Sequence, residues 1–268
     1  MMNIWTQMSI DFANQRNYLD ELYKVYPISP NLKREIDPKL EVNIQKAFVQ
    51  KNNESLIKNL LKLDLFPIKD SYIAYLRRDS SAISRNPQTI NRIAGTLYAM
   101  GYDAMIEKCT EPKETNRQIG PMFKYWIDKG VLGAPVYTSV NAFLRNPKEN
   151  AILNVSDTEM ASFAVKYFGY DREKGLDFLA RFNGQYVVGE AKFLTDFGGH
   201  QNAQFADAVS TISAHFYSHS LDAKVIPIAI MDGVLYIKGS HKMYRYLENH
   251  KDQIILSSLL LREFLYSL

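Results

Sequence analysis

A helix-rich amino-terminal region followed by an α/β (α+β) core is the fold class this sequence predicts, and three observations predict it. Apolar residues recur at helical intervals through most of residues 1–150. A run of β-formers from Gly175 to Phe193 surrounds the dipeptide Asn183-Gly184, the strongest short-range signal for a two-residue type I′ hairpin. A helical stripe and further strand-forming runs follow it.

Taken in order, the first amphipathic segment runs to about Val25 and breaks at Pro27 and Pro30. From Pro38 to Leu65, Leu40, Ile44 and Phe48, then Leu56, Leu60 and Leu63, fall at helical spacing. A helix starts at Asn86 with Pro87 in its first turn and stops near Gly101, the expected asymmetry of helix ends. Another apolar-faced helix spans Asn116 to about Gly130. The polar turn from Asn146 to Asn150 is the best boundary, dividing residues 1–150 from the core of residues 151–268. Ser156-Asp157-Thr158-Glu159 reads as a capping box opening a helix to Phe168. Gly198-Gly199 ends the hairpin region, and Phe205, Val209, Ile212 and Phe216 then form one helical stripe. Val225–Met231 and Val234–Lys238 read as strands joined at Asp232-Gly233, a second type I′ signal. Helices from Lys242 to about Asn249 and from Lys251 onward close the chain, the last one carrying Ile254, Ile255, Leu259, Leu260 and Phe264. That apolar surface either packs on the core or makes a dimer.

Composition excludes several classes. With 46% hydrophobic and 23% charged residues among 268, the chain is ordinary globular protein. No apolar run is long enough to span a bilayer, since Pro227 and Asp232 interrupt Val225–Ile237. The amino terminus lacks a basic region followed by an apolar signal segment, and the lone Cys109 rules out an intramolecular disulfide; the expected compartment is the cytoplasm. His200, His215, His219, His241 and His250 show no zinc-type spacing, and no P-loop or Gly-x-Gly-x-x-Gly segment points to a nucleotide cofactor.

Chemistry concentrates in the hairpin. If Phe182 pairs with Gln185, partners sum to 367, and Asp177 falls opposite Glu190. Opposed like charges destabilise a sheet unless something compensates, as a divalent cation would. Glu190 and Lys192, two apart, project from the same face, so Asp177, Glu190 and Lys192 converge. Hard cations such as Mg²⁺ favour carboxylate oxygen and water, with one or two protein carboxylates. The bland alternative is a cross-strand cluster in which Lys192 neutralises two acids. Against it, Val187, Gly189, Ala191 and Phe193 on one face and Tyr186 and Val188 on the other make the strand look buried on both sides, and buried charge needs a reason.

On these residues the chain resembles the PD-(D/E)xK nuclease superfamily over roughly residues 150–240, with Asp177 as the first acid and Glu190-Ala191-Lys192 as the Glu-x-Lys. Gly175-Leu176 departs from the pattern where the superfamily's name would place Pro. The resemblance implies a mixed central sheet flanked by helices, two acids holding Mg²⁺, and a lysine that positions or activates the attacking water. It also implies a type II restriction endonuclease-like activity, hydrolysing double-stranded DNA to 5′-phosphate and 3′-hydroxyl ends. Glu159 has two readings, an additional site acid or simply the reciprocal cap. Gln204 has two as well, a site glutamine or a solvated helix face. The rivals Glu111-Pro112-Lys113 and Asp37-Pro38-Lys39 contain a Pro unsuited to a central strand, and Asp222-Ala223-Lys224 lacks an upstream partner acid.

Net charge +3 and an isoelectric point near 8.7 are compatible with a basic groove on a mixed surface. Residues 69–92 carry Arg77, Arg78, Arg85 and Arg92 among Asn86 and Asn91, with Tyr72 and Tyr75 interleaved. These side chains suit reading guanine and adenine in a major groove, or else form a solvated helical face. A palindromic site would suit a homodimer, joined through Ile254 to Leu268 or through Ile4, Trp5 and Phe12. Two alternatives stand beside the restriction enzyme: a structure-selective repair or junction nuclease, and a non-catalytic helical DNA-binding protein.

Overall fold

The computed structural model describes residues 2–15, 17–27, 33–112, 118–216, 221 and 223–268. Pro30, Lys113, the Asn116 helix start, His219 and Asp222 lie outside the described residues. The chain separates into two units, one of Met1–Ile28 with Thr115–Leu268, the other of Ser29–Glu114.

The first unit begins with α1 (Ile4–Ala13) and α2 (Tyr18–Val25), so the segment expected as one helix is two. The Ser29–Glu114 unit is helical throughout its described elements: α3 (Pro38–Val49), α4 (Asn53–Leu60), α5 (Ile73–Arg78), α6 (Ala82–Arg85), α7 (Pro87–Met100) and α8 (Tyr102–Cys109). The Pro38–Leu65 stretch divides because Lys51 takes φ 50° and Asn52 then caps α4 by accepting from the Ser55 N–H. Asp37 caps α3 with Pro38 in its first turn, which places the Asp37-Pro38-Lys39 rival at a helix start. Ile44, Leu56, Ile57, Leu60, Ile93 and Leu97 fill this unit's core. Cys109 is buried there, and desolvation pushes its thiol up to about 12.

The remainder of the first unit carries the sheet. In chain order its elements are α9 (Ile119–Asp128), β1 (Val136–Tyr137), α10 (Val140–Leu144), β2 (Ala151–Leu153), α11 (Asp157–Phe168), β3 (Phe178–Phe182), β4 (Gln185–Leu194), α12 (Gly199–Ile212), β5 (Val225–Gly233), α13 (Lys242–Asn249), β6 (Ile255–Leu256) and α14 (Leu261–Tyr266). The six strands stand in sequence order. β2, β3 and β4 are antiparallel, while β1–β2, β4–β5 and β5–β6 are parallel, so the sheet is mixed, as the resemblance implied. The parallel β4–β5 pair needs a crossover, and α12 supplies it.

Side chains alternate along β4. Val187, Ala191 and Phe193 belong to a core that includes Phe123 of α9 and Tyr26; Tyr26 stacks on Phe193 with centroids 5.1 Å apart. Tyr186 and Val188 pack with Met160, Phe163 and Phe168 of α11. Glu190 and Lys192 share this second face.

Two expectations fail at the carboxyl end. Asp232-Gly233 makes no hairpin: β5 runs through Gly233 and a 3₁₀ turn, Val234–Tyr236, follows. Asp232 is fully buried, and its carboxylate accepts from Tyr26 Oη (2.9 Å), Ser257 Oγ (2.5 Å) and the Ser258 N–H (3.3 Å). Donors from distant segments thus use the group that would have shaped a turn. Gly233 adopts φ 99°, where a Cβ would run into the Leu194 carbonyl. Nor is Lys251 onward one helix, because the β-rich Ile255-Leu256 pairs with Ala229 and Ile230. Ile255, Leu256, Leu261, Phe264 and Leu265 are buried, so this apolar surface is core.

Candidate active site

Asn183 (φ 48°) and Gly184 (φ 75°) both take the left-handed conformation a type I′ turn requires. The turn sets the register: Phe182 faces Gln185 and Phe178 faces Gly189, every pair summing to 367. The ladder stops one pair short of Asp177 and Glu190. There the Asp177 N–H donates to the Gly189 carbonyl at 3.0 Å, and Asp177 Oδ2 accepts the Ala191 N–H at 2.9 Å. A side-chain carboxylate takes the place of a strand carbonyl, which pins it against β4.

Upstream, the Leu176 N–H donates to the Asp157 carbonyl at 3.2 Å, and a Cβ at Gly175 would lie 2.8 Å from Asp157 Cβ. These contacts explain the departure from the superfamily's name. Proline at 176 would delete a donor, and the preceding position has no room for a side chain.

Lys192 Nζ donates to Asp177 Oδ2 (3.1 Å) and to Glu190 Oε1 (2.5 Å), so the three predicted residues converge. Two bonds leave the ammonium one further N–H. Glu190 is 3% exposed, and its Oε2 is buried without a hydrogen-bond partner. Burial, then the neighbouring Asp177 charge, raise its carboxyl to about 7 against the pull of Lys192 and Lys174. Burial alone would lower the Lys192 ammonium, but Asp177 and Glu190 outweigh it and hold the group charged, well above the ordinary lysine value.

Sequence reasoning missed Lys174. Its Nζ lies 3.1 Å from Glu190 Oε1 and 2.8 Å from Asp207 Oδ2, joining the loop before Asp177 to α12. No motif or period marks it, since the contact exists only once α12 lies across the sheet.

The other candidates scatter. Glu159 completes the predicted capping box, its Oε2 accepting from the Ser156 N–H (3.2 Å) and Oγ (2.7 Å); these bonds hold its carboxyl below the usual range. Gln204 pairs with His200 across one helical turn at 3.2 Å. Arg77, Arg78, Arg85, Asn86, Asn91 and Arg92 are all exposed, and all lie on the Ser29–Glu114 unit. Arg77 donates to the Leu63 and Asp64 carbonyls, Arg85 pairs with Asp79 and Arg92 with Asp70. Asn86 donates to the Ala82 carbonyl and Asn91 accepts from Asn53. The Arg78 side chain makes no ion pair or hydrogen bond among the described residues.

Whether these residues fit a metal can be judged from their free oxygens. Among the described residues no group of three or more His, Cys, Asp or Glu comes together, so an ion here would draw on two carboxylates. Glu190 Oε2 is unclaimed, and Asp177 Oδ1 accepts no hydrogen bond among the described residues. A hard cation that keeps water in its shell fits this donor set.

The mixed sheet, the α12 crossover and the carboxylate–lysine hairpin define an α+β, restriction-endonuclease-like protein. The chain belongs to the Tsp45I type II restriction enzyme family, which it matches over residues 3–268. No curated protein and no solved structure gives a match. Membership makes the chain a site-specific deoxyribonuclease of restriction–modification, with double-stranded DNA as its partner. A divalent metal requirement goes with the family. Among the described residues no helix is long and apolar enough to cross a membrane.

Proposed function

We propose that Asp177, Glu190 and Lys192 form the catalytic centre and that Asp177 and Glu190 hold Mg²⁺. The observation that carries this reading is the buried, unpartnered Glu190 Oε2 beside Asp177, since a lone buried carboxylate oxygen costs about 1–3 kcal/mol. When bound, the ion would supply Lewis-acid charge stabilisation and a more acidic water. Asp177, fixed by the Ala191 N–H, and Glu190, fixed by two ammonium groups, would orient it. Lys192 would point its remaining N–H at the attacked phosphate or the incoming water and balance negative charge as it builds. Glu159 and Gln204 would stand as additional site residues only if DNA binding frees them from the cap and from His200.

Recognition would belong to the helical part of residues 1–150, through Arg77, Arg78, Arg85, Arg92, Asn86 and Asn91. The enzyme would act as a homodimer in the cytoplasm, two copies of one site matching a two-fold DNA sequence. With Ile254–Leu268 largely in the core, the apolar surface left for that contact is on α1 and α2, where Ile4, Met8, Leu19 and Tyr23 are 65%, 39%, 71% and 56% exposed. Trp5, by contrast, packs edge-on against Phe264. Digestion of long phage DNA tests the reading: discrete fragments with Mg²⁺ and none with chelator are expected, and random degradation or cutting without metal would contradict it.

A further inference from the structure

Four oxygens surround the Lys174 ammonium. Glu190 Oε1 lies at 3.1 Å and Asp207 Oδ2 at 2.8 Å, with the Asp207 carbonyl at 3.2 Å and Thr211 Oγ1 at 3.5 Å. Carboxylate, carbonyl and hydroxyl oxygens are the donors that hard divalent cations take. The Glu190 carboxylate is divided, its Oε1 serving ammonium groups and its Oε2 left free. In two-metal hydrolases, ions about 3.5–4 Å apart clamp the attacking and leaving oxygens. Here one side of Glu190 already carries a cation that is part of the chain.

That cation is held in place from its own backbone. Gly175 packs against Asp157 with no room for a Cβ, and Leu176 is tied to the Asp157 carbonyl, so the loop leaves Lys174 little freedom to withdraw. Lys192 differs, since it contacts both acids and keeps one N–H unspent. We propose that the Lys174 ammonium fills a second cation position, so that this centre works with one divalent ion per chain. The inference rests on the reading of Asp177 and Glu190 as cation ligands. It makes Lys174 a positioning residue: it neutralises Asp207 and fixes Glu190 without touching DNA.

Counting Mn²⁺ bound to the full DNA-free chain tests it, with Glu190→Gln as the blank for ions bound elsewhere. The wild type should hold one ion above the blank, and Lys174→Ala, which empties the four-oxygen cradle, should hold two. Two ions in the wild type, or one in Lys174→Ala, overturn the inference while leaving the cation site intact. No ion above the blank in either protein overturns the site itself. The wild type also gives a reading that no variant can spoil: single-turnover cleavage should rise with the first power of Mn²⁺ concentration below saturation, and second-power dependence would overturn a one-ion centre.

Discussion

Asp177 Oδ2 accepts the Ala191 N–H at 2.9 Å, so the carboxylate at the site also completes the hydrogen bonding of a central strand. The two roles separate by substitution. Asp177→Asn keeps an acceptor oxygen and should remain folded while cleavage falls ~10²–10³-fold. Asp177→Ala should show the same loss of cleavage and also destabilise the protein by ~1–3 kcal/mol, because it leaves a buried N–H unpaired. Thermal unfolding beside single-turnover cleavage checks both, and equal stability of the two variants would show that the strand bond contributes nothing.

Glu190 carries a stability cost that the metal-free protein should reveal. Its folded value, about 7, lies above the ordinary 4.5. Between those values the folded state binds more protons than the unfolded, so its contribution to stability falls as pH rises through that window. Glu190→Gln, which cannot ionise, should therefore be more stable than wild type by roughly 1–3 kcal/mol above about pH 7 in chelator, with the difference vanishing below about pH 4.5. A gain independent of pH would place its origin outside the carboxyl group.

Restoring the superfamily's proline should harm this chain. Leu176→Pro removes the donor to the Asp157 carbonyl and replaces a side chain that is buried in the core. We expect a loss of roughly 3 kcal/mol or more together with cleavage, read by denaturant unfolding. Wild-type stability would mean that the Asp157 contact does not hold the Asp177 loop.

On the Ser29–Glu114 unit, Arg77 and Arg78 should behave differently. Arg77 bonds the Leu63 and Asp64 carbonyls in the turn that follows α4, so Arg77→Ala should lower stability. Arg78→Ala should leave stability alone and reduce the salt dependence of DNA affinity by about 0.9 in log–log slope, the value for one lost phosphate contact. An unchanged slope would move the DNA contact to another segment.

The hairpin and its three side chains were legible because each step is local. Asn-Gly dictates the turn, the turn dictates the register, and a period of two dictates the shared face of Glu190 and Lys192. The capping box at Ser156 and Glu159 and the α7 helix were legible for the same reason. Lys174 was not, because its partners sit 16 and 33 positions away and meet it only after α12 crosses the sheet. Asp232-Gly233 misled for a related reason. A turn signal gave way to tertiary donors, when Tyr26 and Ser257 took the Asp232 carboxylate.

Lys192 contacts both acids and keeps one N–H unspent, and the proposed chemistry depends on it more than on any other side chain. Single-turnover cleavage of cognate DNA by Lys192→Met, with DNA affinity measured on the same protein, is the most direct test. Binding within a few-fold of wild type and cleavage slowed by ~10²–10³ is the predicted result. Cleavage at the wild-type rate would contradict it and remove the hairpin from the active site.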